Sequence, residues 1–293
     1  MKLCFCLFVK RNERQGLFIM ETKEILEEEL EVIARWENDQ KGLWIWDKVA
    51  RLPFTLLDRM TPAFIQKRIS ALLDEIGYYI QSGGKYLTQE RGILKKLERH
   101  AEMPVHTIED AANVPLKAMD KTALSIQKSH AGAATVQGAA TGVGGFLTLA
   151  ADIPATLAIS LKTLQEIAVS YGYDPNDREE RIFIIKCLQF TSSDVVGKKA
   201  ILKELSNYAS RDNNKQMISH LQGWREVVIA YREQYSLKKI FRLVPVIGII
   251  FGAISNRSMI EDIADAGMML YRKRRIIERL AAQTAGNESE DRN

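Results

Sequence analysis

Residues 131–151 read AGAATVQGAATGVGGFLTLAA, and between Ala131 and Leu161 the chain carries a single charge, Asp152. Ala134, Gly138 and Gly142 recur every four residues. That spacing lines small side chains along one face of a helix and lets a second backbone approach closely. Glycine costs about 1 kcal/mol relative to alanine inside a helix, so a helix holding several needs tight packing to offset them. A second stretch, LVPVIGIIFGAISN at Leu243–Asn256, has no charge between Arg242 and Arg257, and Gly248, Gly252 and Asn256 form a matching line. The spacing predicts two helices whose stripes of small residues pack together at the centre of an all-α fold.

Two other readings of these stretches stand beside intramolecular packing. One is contact with a membrane or a partner. Residues 131–151 reach the roughly 20-residue length of a bilayer span, but their glycines, threonines and Gln137 leave them only marginally hydrophobic. The other is a phosphate cradle built on Gly138, Gly142, Gly144 and Gly145. No strand precedes these glycines and no Gly-Lys-Ser/Thr follows them.

Outward from the stripes the chain reads as helix almost throughout. Thr22 opens a helix to about residue 39, with Leu26, Leu30 and Ile33 on one face. Thr61-Pro62 starts another that Ser82-Gly83-Gly84 stops, and Thr107 with Asp110 resembles a capping box. Pro115 opens a helix towards His130, Asp177 caps Arg178–Phe190, and Ser258 caps a long final helix through Ile260, Ile263, Gly267 and Leu270. Gly172 suits a left-handed C-terminal cap ahead of an Asp174-Pro175 turn.

Charge is uneven. Residues 20–112 hold 13 Lys/Arg against 17 Asp/Glu, and residues 221–282 hold 11 against 6, with Arg272-Lys273-Arg274-Arg275 at the centre of the excess. The two regions are expected either to attract each other across the fold or to leave the basic run as a membrane-surface site for anionic lipid. Overall charge is only +4, so composition does not call for nucleic acid, and none is expected as a partner. Among 293 residues, 46% are apolar and 27% charged, which excludes wholesale disorder; three cysteines exclude a disulfide framework and fit a reducing cytoplasm.

No reaction is legible. His100, His106, His130 and His220 are scattered, with no H-E-x-x-H, no Cys/His cluster and no G-x-S-x-G elbow. Neither a metal nor a cofactor is therefore expected. The one candidate for chemistry is Asp152, a carboxylate in apolar surroundings, with His130 or Gln137 facing it across a folded hairpin. Its alternative role is an N-cap, since Pro154 follows in the first turn.

Gln137-Gly138-Ala139-Ala140-Thr141-Gly142-Val143-Gly144-Gly145, Ala151-Asp152-Ile153-Pro154 and Tyr171-Gly172-Tyr173-Asp174 resemble the signature blocks of the EcsC family. Val244-Pro245-Val246-Ile247-Gly248, Gly252, Asn256 and Tyr271-Arg272 resemble its C-terminal block. The resemblance covers about residues 40–280. It implies a mostly helical bacterial protein without an established reaction, in a family named for an ABC-transporter operon. It also implies an accessory role, cytoplasmic or peripheral on the inner face of the cell membrane, with an anionic membrane surface or a membrane-protein partner. A hydrolase or small-ligand protein using Asp152 is the alternative. The expected organisation is an N-terminal helical arm over 20–110, a helical core over 111–282 and a disordered tail over 283–293. Residues 1–19 are read as disordered or as lying ahead of a true start at Met20.

Overall fold

The computed structural model describes residues 21–40, 76–83, 90–143, 149–193, 195–208 and 245–290. Among these it is all-α, with no strand. In chain order the helices are α1 (Lys23–Asp39), α2 (76–82), α3 (Glu90–Ala101), α4 (Ile108–Ala112), α5 (Leu116–Val143), α6 (Leu149–Ser170), α7 (Arg178–Ser192), α8 (Val195–Tyr208) and α9 (Pro245–Glu290). The expected helix from Thr61-Pro62, the Gly144-Gly145 pair, Gly84 and residues 1–19 lie outside the described residues.

Both small-residue stretches are helical over their described residues: Gly138 and Gly142 lie on α5, Gly248 and Gly252 on α9. The α5–α9 pairing is the most extensive among the described helices. The two helices run antiparallel, since Asp120 meets Arg272 and, seven residues on, Gln127 meets Asp265, seven residues back. Ala131, Ala134 and Gly138 are buried on α5, and Asn256 is buried on α9. α6 folds back along α5, with His130 against Glu166 and Gln137 against Thr156. Close approach is required most clearly where α9 crosses α6: a Cβ added to Gly267 would sit 2.6 Å from the Leu164 Cδ2 methyl.

Local sequence explains most helix ends. Thr107 and Asp110 form a full capping box, with the Asp110 amide donating to Thr107 Oγ1 at 3.1 Å and the Thr107 amide to Asp110 Oδ2 at 2.9 Å. Gly172 ends α6 with φ +78, and an added Cβ would lie 2.5 Å from the Ala112 backbone, so only glycine fits on both counts. Thr22 and Asp177 sit at the predicted N-cap positions but make no side-chain capping bond. α5 is capped from a distance: the Leu116 amide donates to Glu21 Oε1 at 2.6 Å.

Three boundaries differ from the sequence reading. Ser258 lies well inside α9, which starts at Pro245; Arg257 and Glu261 pair at i,i+4 across that point, and the apolar stretch before it continues the same helix. Asp152 is inside α6 and not at its N-cap, because the helix already begins at Leu149 and carries Pro154 internally. α9 also continues to Glu290, into the stretch read as a disordered tail; Ala281, Ala282 and Gln283 are good helix formers, and Gln283 Nε2 donates to the Glu21 carbonyl at 3.1 Å.

α7 is buried along Glu180–Phe190 and carries the cluster of Phe183, Ile184, Cys187 and Leu188. Burial pushes the Cys187 thiol well up, so it is an inert core group. Arg181, also buried, donates to the carbonyls of Ile80 at 2.9 Å and Gln81 at 3.2 Å, which satisfies the orphan acceptors at the end of α2.

Candidate functional site

Tyr171, Gly172 and Tyr173, at the turn after α6, meet the basic run of α9. Arg272 is buried; its Nε donates to Asp120 Oδ2 at 3.1 Å and a terminal nitrogen to Glu29 Oε2 at 2.7 Å. The Tyr171 hydroxyl donates to the other oxygen of Asp120 at 2.6 Å. Burial works against the Arg272 charge, but Asp120 and Glu29 more than offset it and hold the guanidinium above its ordinary pKa. Burial and the Asp120 charge likewise push the Tyr171 phenol well up, so it stays a donor.

The neighbouring bases are engaged as fully. Lys273 pairs with Glu37 at 2.7 Å. Arg274 pairs with Glu180 at 2.7 Å and lies over the Tyr173 ring, 4.1 Å from its centroid. Arg275 donates to the Tyr171 carbonyl at 2.9 and 2.8 Å and to the Gly172 carbonyl at 3.1 Å, closing the C-terminal end of α6. Tyr271 donates to Glu180 and packs on Phe183, with ring centroids 4.8 Å apart. Arg279 pairs with Glu21 and donates to the carbonyls of Ala112 and Val114.

These contacts correct the membrane-surface assignment of Arg272, Lys273, Arg274 and Arg275. Arg272, Lys273 and Arg274 pair with acids of α1, α5 and α7, and Arg275 with Glu278 of its own helix and the carbonyls that end α6. Glu21, Glu29 and Glu37 of the acidic N-terminal region do meet the basic C-terminal helix, while Asp120 and Glu180 come from between the two regions.

Of the alternative catalytic set, His130 and Gln137 have partners among the described residues. His130 Nε2 is 2.9 Å from Glu166 Oε2, and Lys162 approaches the other oxygen of that carboxylate at 4.0 Å. Gln137 Nε2 donates to Thr156 Oγ1 at 3.1 Å, two turns along α5 from His130. The side chain of Asp152 lies outside the described residues, as do the surroundings of Gly142, Gly248 and Gly252. Asp174 receives the Asn176 amide at 2.8 Å, an Asx turn that shapes the connection to α7. Among the described residues no group of three His, Cys, Asp or Glu side chains is placed to hold a metal ion, and no helix is long and apolar enough to cross a membrane.

A different set of cations is left open. Arg91, Lys95 and Arg99 are exposed at successive i,i+4 positions of α3, and Lys96 and Lys121 of α5 lie close to the same surface. None of the five has an ion-pair partner among the described residues. His100 stands in their midst, its Nδ1 2.8 Å from Thr122 Oγ1. The Thr122 hydroxyl donates to the Ala118 carbonyl, so Nδ1 carries the imidazole proton. Partial burial and the charges of Lys121, Arg99 and Lys96 hold the imidazole below its ordinary pKa.

An all-helical body, small-residue helices paired antiparallel, and a Tyr-Gly-Tyr-Asp turn clamped by a basic helix together define the class. The chain belongs to the EcsC protein family, whose profile matches residues 27–276. It is 54% identical over 261 residues to the uncharacterized protein YdbA of Bacillus subtilis (strain 168), covering 89% of this chain and 96% of that protein. It is 30% identical over 166 residues to protein EcsC of the same organism, covering 57% of this chain and 64% of that protein. No solved structure matches.

Proposed function

We propose that the protein is a non-enzymatic accessory factor that binds a membrane-protein partner, of ABC-transporter type, at the cytoplasmic face of the membrane. The observation that carries this reading is a pair of exposed apolar side chains at one end of the α5–α9 pair. Val136 on α5 is 71% exposed and Ile254 on α9 is 63% exposed. Ala133 and Ala140 continue the exposed α5 face at helical spacing, within a stretch from Ala131 to Val143 that has no charge. Large apolar side chains left in water beside small ones suit contact with another apolar helix more than they suit solvent.

The test is membrane fractionation of cells expressing the protein. Wild type is expected to sediment with membranes and resist a salt wash. Val136→Asp with Ile254→Asp is expected to move into the supernatant with its melting temperature unchanged. Wild type that stays in the supernatant at low salt overturns the reading.

A further inference from the structure

The open cations of α3 are arranged in a way that folding does not explain. Arg91, Lys95 and Arg99 stack at i,i+4 on one exposed stripe, a like-charge spacing that weakens a helix. On the final helix, by contrast, Arg272, Lys273, Arg274 and Arg279 are each paired with an acid. Here Lys96, on the edge of the stripe, and Lys121, on the adjacent helix, add to the same field. The only acid of the middle turns is Glu98. A local rule broken without an internal compensation marks a surface kept for something outside the chain.

Just past the end of α3, Glu102 takes a left-handed conformation, φ 54, and turns the chain; Met103 follows, 40% exposed. An exposed thioether four residues past the last base of a cationic row is a combination suited to a bilayer interface, with the apolar group entering the headgroup region and the bases pairing with phosphates. A nucleic acid backbone offers the phosphates but nothing for Met103, and the stripe carries no aromatic side chain on which bases stack.

We infer that Arg91, Lys95, Lys96, Arg99 and Lys121, with Met103, form a docking surface for the anionic phospholipid headgroups of a membrane. This rests on the membrane-face reading above and adds to it a lipid contact separate from the protein contact. Lys121 and Val136 are 15 residues apart on α5, about 22 Å by helix rise.

The experiment is co-sedimentation of the purified full chain with protein-free vesicles at low ionic strength. Phosphatidylglycerol vesicles are expected to bind it, and phosphatidylcholine vesicles are not. Lys95→Gln with Arg99→Gln is expected to weaken binding by roughly thirtyfold, two surface charges being lost. Lys23→Gln with Lys199→Gln removes the same net charge elsewhere and is expected to leave binding within about twofold by the same electrostatic scale. Circular dichroism of each variant shows that it remains folded. No binding to phosphatidylglycerol, or equal loss in both double variants, overturns the inference, as does equal affinity for a double-stranded oligonucleotide. Because the vesicles hold no protein, such a failure leaves the partner reading standing; that reading fails only if membrane fractionation fails.

Discussion

Two basic segments of this chain share a composition and differ in everything else. Arg272-Lys273-Arg274-Arg275 is the denser run, and its charges are committed to Glu29, Asp120, Glu37, Glu180 and backbone carbonyls. The α3 residues Arg91, Lys95 and Arg99 are sparser in sequence, yet they lie on one exposed stripe and form no ion pair among the described residues. Helical geometry accounts for the contrast. Four consecutive helical residues span about 300° of arc, so a contiguous run cannot be a single surface, whereas residues spaced by four stay on one side. Density of charge in sequence and density of charge on a surface are different quantities.

The comparison is broken most directly at Arg272. Arg272→Met leaves Asp120 and Glu29 buried without their cation and is expected to cost about 3–5 kcal/mol of stability, read by urea unfolding. A loss below about 1 kcal/mol would place this pair in the range of surface ion pairs and remove the distinction. Lys273→Met, at a pair less deeply buried, is expected to cost about 1 kcal/mol or less by the same measurement. The α3 stripe is expected to respond with the opposite sign. Lys95→Gln relieves repulsion with both Arg91 and Arg99 and should raise stability by about 0.2–0.5 kcal/mol per relieved pair. A loss of stability there would mean that the stripe serves the fold.

The smallest effect is on His100. Burial and the charges of Lys121, Arg99 and Lys96 hold its imidazole below the ordinary histidine pKa of 6.5. Folding therefore favours the neutral ring. That contribution is present above pH 6.5 and is lost as pH falls through the folded-state pKa, where the unfolded chain binds the proton more readily. Proton NMR of the ring is expected to show the depressed pKa in wild type and an upward shift in Arg99→Gln. Titration at the ordinary value in both proteins would show that the cations do not bear on it.

Much of the fold was legible because the decisive signals are local. The four-residue recurrence of Ala134, Gly138 and Gly142 announces a helix without reference to anything else. The Thr107/Asp110 box and the Gly172 cap depend only on backbone geometry within a few residues. Legibility failed where an outcome depended on distant partners. Ser258 looks like a start only if the apolar stretch before it is a separate element, and Asp152 looks like a cap only if α6 begins at that residue. The direction in which Arg272 points is set by Glu29 and Asp120, 243 and 152 residues away along the chain. The α3 stripe was hidden for another reason: a net charge of −4, from 13 bases and 17 acids over residues 20–112, averages it away.

The contact between Glu21 and the end of α9 sets an order of events during synthesis. Glu21 leaves the ribosome early, yet Arg279 and Gln283 follow it by 258 and 262 residues. At roughly 5–20 residues per second that is a wait of about ten to fifty seconds. Until then the first helix has no clamp and the amino end of α5 draws on Glu21 without its cation. A chain truncated before residue 272 should therefore show its damage at the opposite end, as protease sensitivity in residues 21–40.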